Sequence, residues 1–165
     1  MHLEDVAFLA GDAGREAREA ARALRDKPLH QRHRALSRTY DSDRARLLLE
    51  QDDLERRAAA KVPDPTQWLF EREALEQATP WPVAAERATR WPGDPTAPLV
   101  DVGSGAGVDA LAVAATGRPV IAYERDPVCA ALLRANAAAL GLAERVDVRA
   151  EDAPDVLPAA LVFVD

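Results

Sequence analysis

The sequence predicts an α/β fold, a doubly wound parallel sheet incomplete at about four strands, preceded by an all-α N-terminal region. Three observations predict it. Leu99-Val-Asp-Val102 is a short apolar run that empties into Gly103, Gly105 and Gly107, and a helical pattern opens at Asp109. Further apolar runs, Pro119 to Glu124, Val146 to Asp152 and Leu161 to Asp165, each end in an acid. Before residue 62 the chain is rich in alanine, arginine and leucine at helical spacing, with few β-branched residues.

Taken in order, Leu3, Val6, Ala7 and Ala10 recur at helical spacing, and Gly11 closes that opening. Arg15 to Asp26 forms the next helix, stopped by Lys27-Pro28. Leu29 to Tyr40 is a weaker one. Asp41 is expected to cap a long helix from about Ser42 to Lys61 that turns Ala45, Leu48, Leu49, Leu54 and Ala58 inward. Val62-Pro-Asp-Pro-Thr66 and Trp91 to Pro98 read as proline-rich breaks. Between them, Thr79 is expected to cap a helix that starts near Pro80–Pro82 and runs to Arg90. The expected divisions are a helical region over 1–62, a linker with leading helices over 63–98, and a sheet-bearing part over 99–165. Trp68, Phe70, Trp81 and Trp91 are expected chiefly to pack the leading segment onto the sheet, with stacking on a base as the second reading.

Charge is unevenly spread. Residues 1–61 carry 13 Lys/Arg against 12 Asp/Glu, whereas residues 62–165 carry 8 against 16. The second part therefore suits a cationic ligand, and the alternating charges of the first suit a solvated helix surface. No apolar run approaches the ~20 residues of a membrane span. The lone Cys129 cannot form an internal disulfide, and Met1-His-Leu-Glu-Asp5 lacks a basic leader, so a cytoplasmic, membrane-free protein is expected. Cys129 is expected as a small buried residue on a helix face. His30 and His33 could share a helix face, but no second His or Cys pair accompanies them, and no metal site is expected.

The glycine spacing separates two cofactor classes. A dinucleotide loop of the form G-x-G-x-x-G needs glycine at 108, where Val108 stands. Here glycines occupy every second position, with Asp101 two residues before the first. A pyrophosphate disfavours such an anion, whereas an ammonium or sulfonium is favoured by it.

This acid-then-G-x-G-x-G pattern resembles motif I of class I S-adenosylmethionine-dependent methyltransferases, enzymes with a Rossmann-like sheet of seven strands, of which this sequence carries four. The resemblance covers roughly residues 68–165. Leu75-Glu-Gln-Ala-Thr-Pro80 looks like the helix–turn before motif I in bacterial methyltransferases with a THUMP-like domain, and the helical N-terminal region is similar to theirs. The resemblance implies S-adenosylmethionine as cofactor, with RNA or another nucleobase methylated at nitrogen as the substrate. It implies cofactor-binding roles for Asp101, Gly103, Ser104, Gly105 and Gly107 in motif I and for Gln77 and Thr79 as lid contacts. It assigns Glu124, with Arg125, to the ribose side and Asp152, with Ala153, to adenine. It implies that Asp165 begins an Asp-Pro-Pro-aromatic motif and orients the target amine as the catalytic residue. Asn136 is expected to fix its helix against a neighbouring loop. Two other classes stay open: a truncated, non-catalytic S-adenosylmethionine-binding fragment, and a helical protein-interaction module whose glycine loop is only a turn.

Overall fold

The computed structural model of the protein describes residues 1–157 and 161–164. Four helices open it: α1 (Leu3–Ala10), α2 (Asp12–Arg22), α3 (Leu29–Leu36) and α4 (Ser42–Ala58). Gly11 closes α1 and also precedes α2, so α2 starts and ends three and four residues earlier than the composition suggested. The tight corner requires Gly14, where a Cβ would lie 2.0 Å from the carbonyl oxygen of Phe8. Asp41 caps α4 as expected, accepting the Arg44 N–H at 2.8 Å.

An apolar core of Val6, Leu9, Ala17, Ala21, Leu36 and Leu48 joins these helices. Beside it lies a buried ionic cluster. Asp52 and Glu55 on α4 are 3% and 7% exposed. Arg25 donates to both, at 2.7 Å each, Arg22 donates to Glu55 at 2.8 Å, and Arg32 donates to Asp52. The C-terminal end of α2, the turn that follows it and α3 are thereby tied to one face of α4. Buried charges are tolerated only when paired in this way.

The chain then forms α5 (Arg72–Gln77) and α6 (Trp81–Ala88). Thr79 does not cap α6: the N-cap is Pro80, without a side-chain acceptor, and the fixed φ of Pro82 in the first turn starts the helix instead. The aromatics are packing residues. Trp68 stacks on Phe70 with centroids 5.7 Å apart, Trp81 meets Trp68 edge-on, and Trp91 meets Phe163 edge-on.

The sheet comprises β1 (Leu99–Val102), β2 (Val120–Tyr123), β3 (Val146–Arg149) and β4 (Leu161–Val164), all parallel in the order β3-β2-β1-β4. Helix α7 (Val108–Ala115) links β1 to β2, and α8 (Pro127–Ala139) links β2 to β3. Both crossovers step the same way along the sheet, so their right-handedness puts α7 and α8 on one face. Leu99, Val120, Val146 and Leu161 stand in register across the sheet and pack in the core beneath those helices.

The spacing over about Val128 to Leu140 predicts a helix with Ala131, Leu132, Ala135 and Ala139 on its buried face, and the burial of α8 differs from that. Leu133 and Ala137 enter the sheet-side core while Leu132 enters the core of the N-terminal helices, and Ala139 is exposed. The helix is covered on two sides, so a one-stripe reading misplaces its faces. The strands are also shorter than the apolar runs: Glu124 sits one residue past β2 and Asp152 three residues past β3. Among the described residues, no helix is long and apolar enough to cross a membrane.

The ionic cluster generates a stability prediction. Asp52→Ala leaves the buried Arg32 guanidinium without its carboxylate partner and is expected to lower the unfolding free energy by about 3 kcal/mol. The check is urea denaturation, with a lower midpoint at unchanged slope; a loss below about 0.5 kcal/mol would show the cluster to be peripheral.

Candidate functional site

The carboxyl ends of β1, β2 and β3 open onto one continuous cleft with two lobes. The lobes measure about 540 Å³ and 380 Å³ and share Ala74, Gln77, Gly103 and Gly105. Open parallel sheets place ligand sites at this edge.

The glycine loop forms the wall common to both lobes. Gly103, Gly105 and Gly107 all adopt positive φ, at 79°, 53° and 89°. Two of them do so for different reasons. A Cβ on Gly107 would lie 1.9 Å from Cδ1 of the fully buried Leu133, so glycine there lets the loop seat on α8. A Cβ on Gly105 would meet nothing within 4 Å, so that face of the loop borders open cleft. Asn136 holds the loop from behind, its Nδ2 donating to the Ala106 carbonyl at 3.1 Å. Its amide also donates to and accepts from the Leu69 backbone, at 3.0 and 2.7 Å, as expected of a residue that fixes helix to loop.

Glu124 joins this loop to the next. Its Oε2 accepts the Gly105 N–H at 2.7 Å and its Oε1 accepts the Asp126 N–H at 2.8 Å. Arg125, Asp126, Asp152 and Ala153 continue the wall of the larger lobe. Asp126 also caps α8, accepting from the Val128 and Cys129 amides. Thr79 and Ser104 line the smaller lobe with Gly107, beside the first turn of α7, whose N–H groups form the positive end of that helix. Asp109 in that turn is paired with Arg87 at 2.8 Å.

Ten of the expected residues thus line the cleft: Gln77, Thr79, Gly103, Ser104, Gly105, Gly107, Glu124, Arg125, Asp152 and Ala153. Asp101 does not. It is 2% exposed and lies beneath the loop, its backbone carbonyl accepting from Ser104 Oγ at 3.2 Å. Asp165 lies outside the described residues. Sequence reasoning missed Glu71, Glu73, Tyr123, Asp126, Cys129 and Glu151, all on the larger lobe. Glu71 and Glu73 carry no motif and come in only because α5 folds over the sheet edge. Asp126 was detectable as an Asp-Pro helix start.

The larger lobe is strongly acidic, with Glu71, Glu73, Glu124, Asp126, Glu151 and Asp152 against the single Arg125. Burial, then Asp126 and Glu124, pushes the Cys129 thiol up to about 12.

No family model matches the chain. It is 37% identical over 129 residues to two uncharacterized S-adenosylmethionine-dependent methyltransferases of Mycobacterium tuberculosis, one from strain CDC 1551 / Oshkosh and one from H37Rv. Each alignment covers 74% of this chain and 35% of the relative, so the chain spans about a third of their length. A crystal structure named as that of a methyltransferase from Porphyromonas gingivalis W83 superposes with a TM-score of 0.65 at 18% identity, covering 83% of this chain and 35% of that one. That likeness shows the fold.

Two outcomes are expected from this geometry. Gly107→Ala combines left-handed strain with a clash on Leu133 and should cost about 2–4 kcal/mol, against about 1 kcal/mol for Gly105→Ala, both read by urea denaturation. Cys129 should resist iodoacetamide at pH 8.5 in the folded chain and react after unfolding, because roughly a thousandth or less of it is thiolate. The same raised thiol makes stability fall as pH rises from about 9, the unfolded value, toward about 12, since the folded state then holds the extra proton. Rapid labelling of the native chain would refute the assignment.

The chain therefore carries a Rossmann-like α/β fold with its cleft at the carboxyl edge of the sheet, and over most of its length it is similar to S-adenosylmethionine-dependent methyltransferases.

Proposed function

We propose that this chain supplies the S-adenosylmethionine-binding half of a class I methyltransferase, over about residues 99–165, led in by the segment 63–98 and the helical region 1–62. The observation that carries the reading is the convergence of the G-x-G-x-G loop, the Glu124 carboxylate and an acid-lined lobe on one cleft. Gly105 supports the fit, because its missing Cβ leaves room for a ligand against the backbone.

The chemistry of the two lobes divides the ligand. Glu124 suits ribose hydroxyls: an ionised carboxylate has about four acceptor sites, and two backbone amides use only two of them. Asp152 can accept the adenine amino group beside the Ala153 backbone, with Arg125 flanking. The smaller lobe suits the amino-acid end, where the first turn of α7 favours a carboxylate and Ser104, Gly103 and Gly107 leave space. Gln77 and Thr79 close over it, and Asp101 acts from beneath through its charge. The acidic lining favours a cationic ligand over a pyrophosphate. When bound, S-adenosylmethionine supplies an electrophilic methyl on sulfonium, and the protein's contribution is to bring donor and acceptor into line.

The acceptor we infer is a nitrogen of RNA or another nucleobase, as in bacterial methyltransferases with a THUMP-like domain, with Asp165 orienting the amine. What supports it is the pre-loop segment Leu75–Pro80 and the acid at the end of the fourth apolar run. A reducing cytoplasm is consistent with the lone Cys129.

Titration calorimetry with S-adenosylmethionine, S-adenosylhomocysteine and NAD tests the cofactor. Binding of either of the first two without NAD is expected; tight NAD binding alone would overturn the reading. Gly105→Ala should keep the fold and weaken S-adenosylmethionine at least about tenfold, since its Cβ enters the cleft. Unchanged affinity in that variant would remove the loop from the site.

A further inference from the structure

The smaller lobe is roofed by a segment that Ala74 and Leu75 anchor in the core at its start and that crosses open cleft beyond them. Helix α5 has six residues, too short to be stable alone. It ends at Gln77, and the chain crosses Ala78 and Thr79, both on the lobe, before α6 begins. The Lys61 side chain reaches this crossing from the turn after α4. Its Nζ donates to the carbonyls of Leu75, Glu76 and Ala78 at 2.8, 2.7 and 2.8 Å, using all three of its N–H groups. These carbonyls belong to the C-terminal end of α5, where helix oxygens lack intrahelical partners and the dipole is negative. On the far side of the crossing, the Lys61 carbonyl accepts the N–H of Trp81, the first residue of α6. One residue therefore clasps the crossing at both ends. The nearby Arg57–Glu76 pair, exposed at both ends, adds little.

We propose that Lys61 is a positioning residue: it latches the Leu75–Trp81 roof over the glycine loop and so sets the affinity of the cleft for its cofactor. Lys61 itself lines neither lobe and acts through the segment it holds, which carries Gln77, Ala78 and Thr79. A point charge with three rotatable donors suits three converging carbonyls, a geometry that a planar guanidinium does not reproduce. The affinity part rests on the S-adenosylmethionine reading, whereas the latch itself does not.

The test uses the whole 165-residue chain and Lys61→Met. Without ligand, the amides of residues 75–79 and 81 should exchange at least about tenfold faster than in the wild type, with α4 and the sheet unchanged. S-adenosylmethionine affinity by calorimetry should fall about tenfold, the size of one charge-assisted hydrogen bond lost. A double-mutant cycle separates positioning from general stability: the loss caused by Gln77→Ala with Thr79→Ala should largely vanish in the Lys61→Met background. Exchange at the wild-type rate, or losses that simply add, would overturn the proposal. If the wild type binds no S-adenosylmethionine, the functional reading fails and the exchange comparison alone decides the latch. If Lys61→Met does not fold, Lys61→Arg is judged by the same exchange and cycle criteria.

Discussion

The side-chain amide of Asn136 is the constraint on which the rest of the structure depends. It is fully buried in α8 and satisfied by three hydrogen bonds, two to the Leu69 backbone and one to the Ala106 carbonyl. A buried amide without partners costs roughly 2–7 kcal/mol, so helix, leading segment and glycine loop must assemble in one arrangement. Gln51 on α4 holds the same leading segment from the other side, donating to the Phe70 carbonyl at 2.8 Å. Residues 69 and 70 are thus strung between α4 and α8, and the start of α5 is set by both.

This arrangement makes the N-terminal helices part of the cleft's support. Leu132 of α8 packs in their core, and the Arg22, Arg25 and Arg32 cluster on Asp52 and Glu55 keeps α4 oriented beneath the leading segment. The apolar contacts supply most of the stability. Breaking a pair of the ionic cluster strands a buried charge, so the cluster opposes separation of α2 and α3 from α4.

Electrostatics then gives the cleft its character. Acids project from α5, from the loops after β2 and β3, and from the cap of α8, and together they leave the larger lobe negative. Glu124 serves two purposes, since it orders the glycine loop through Gly105 and still presents acceptor capacity. A loop held by a carboxylate is a poor cradle for pyrophosphate and a good one for a cation.

Much of this was readable in the linear order of residues. Short-range rules suffice for the strand–glycine–helix succession at 99–109, the acids that follow the apolar runs and the Asp41 cap, because each depends on neighbours in the chain. The loop-fixing role of Asn136 was also expected, although its bonds reach residues 67 and 30 positions away. Other features depend on contacts between distant segments. The two-sided burial of α8, the burial of Asp101 beneath its loop, the replacement of Thr79 by Pro80 as the start of α6, and the recruitment of Glu71 and Glu73 to the cleft all arise where α5 and α8 are pressed between layers. The sequence by itself determined the fold class and the glycine cradle through periodicity and backbone freedom. Only the tertiary structure decided which side chains face the cleft, since that follows from packing between segments distant in the chain, such as Leu69 on Asn136, 67 residues apart.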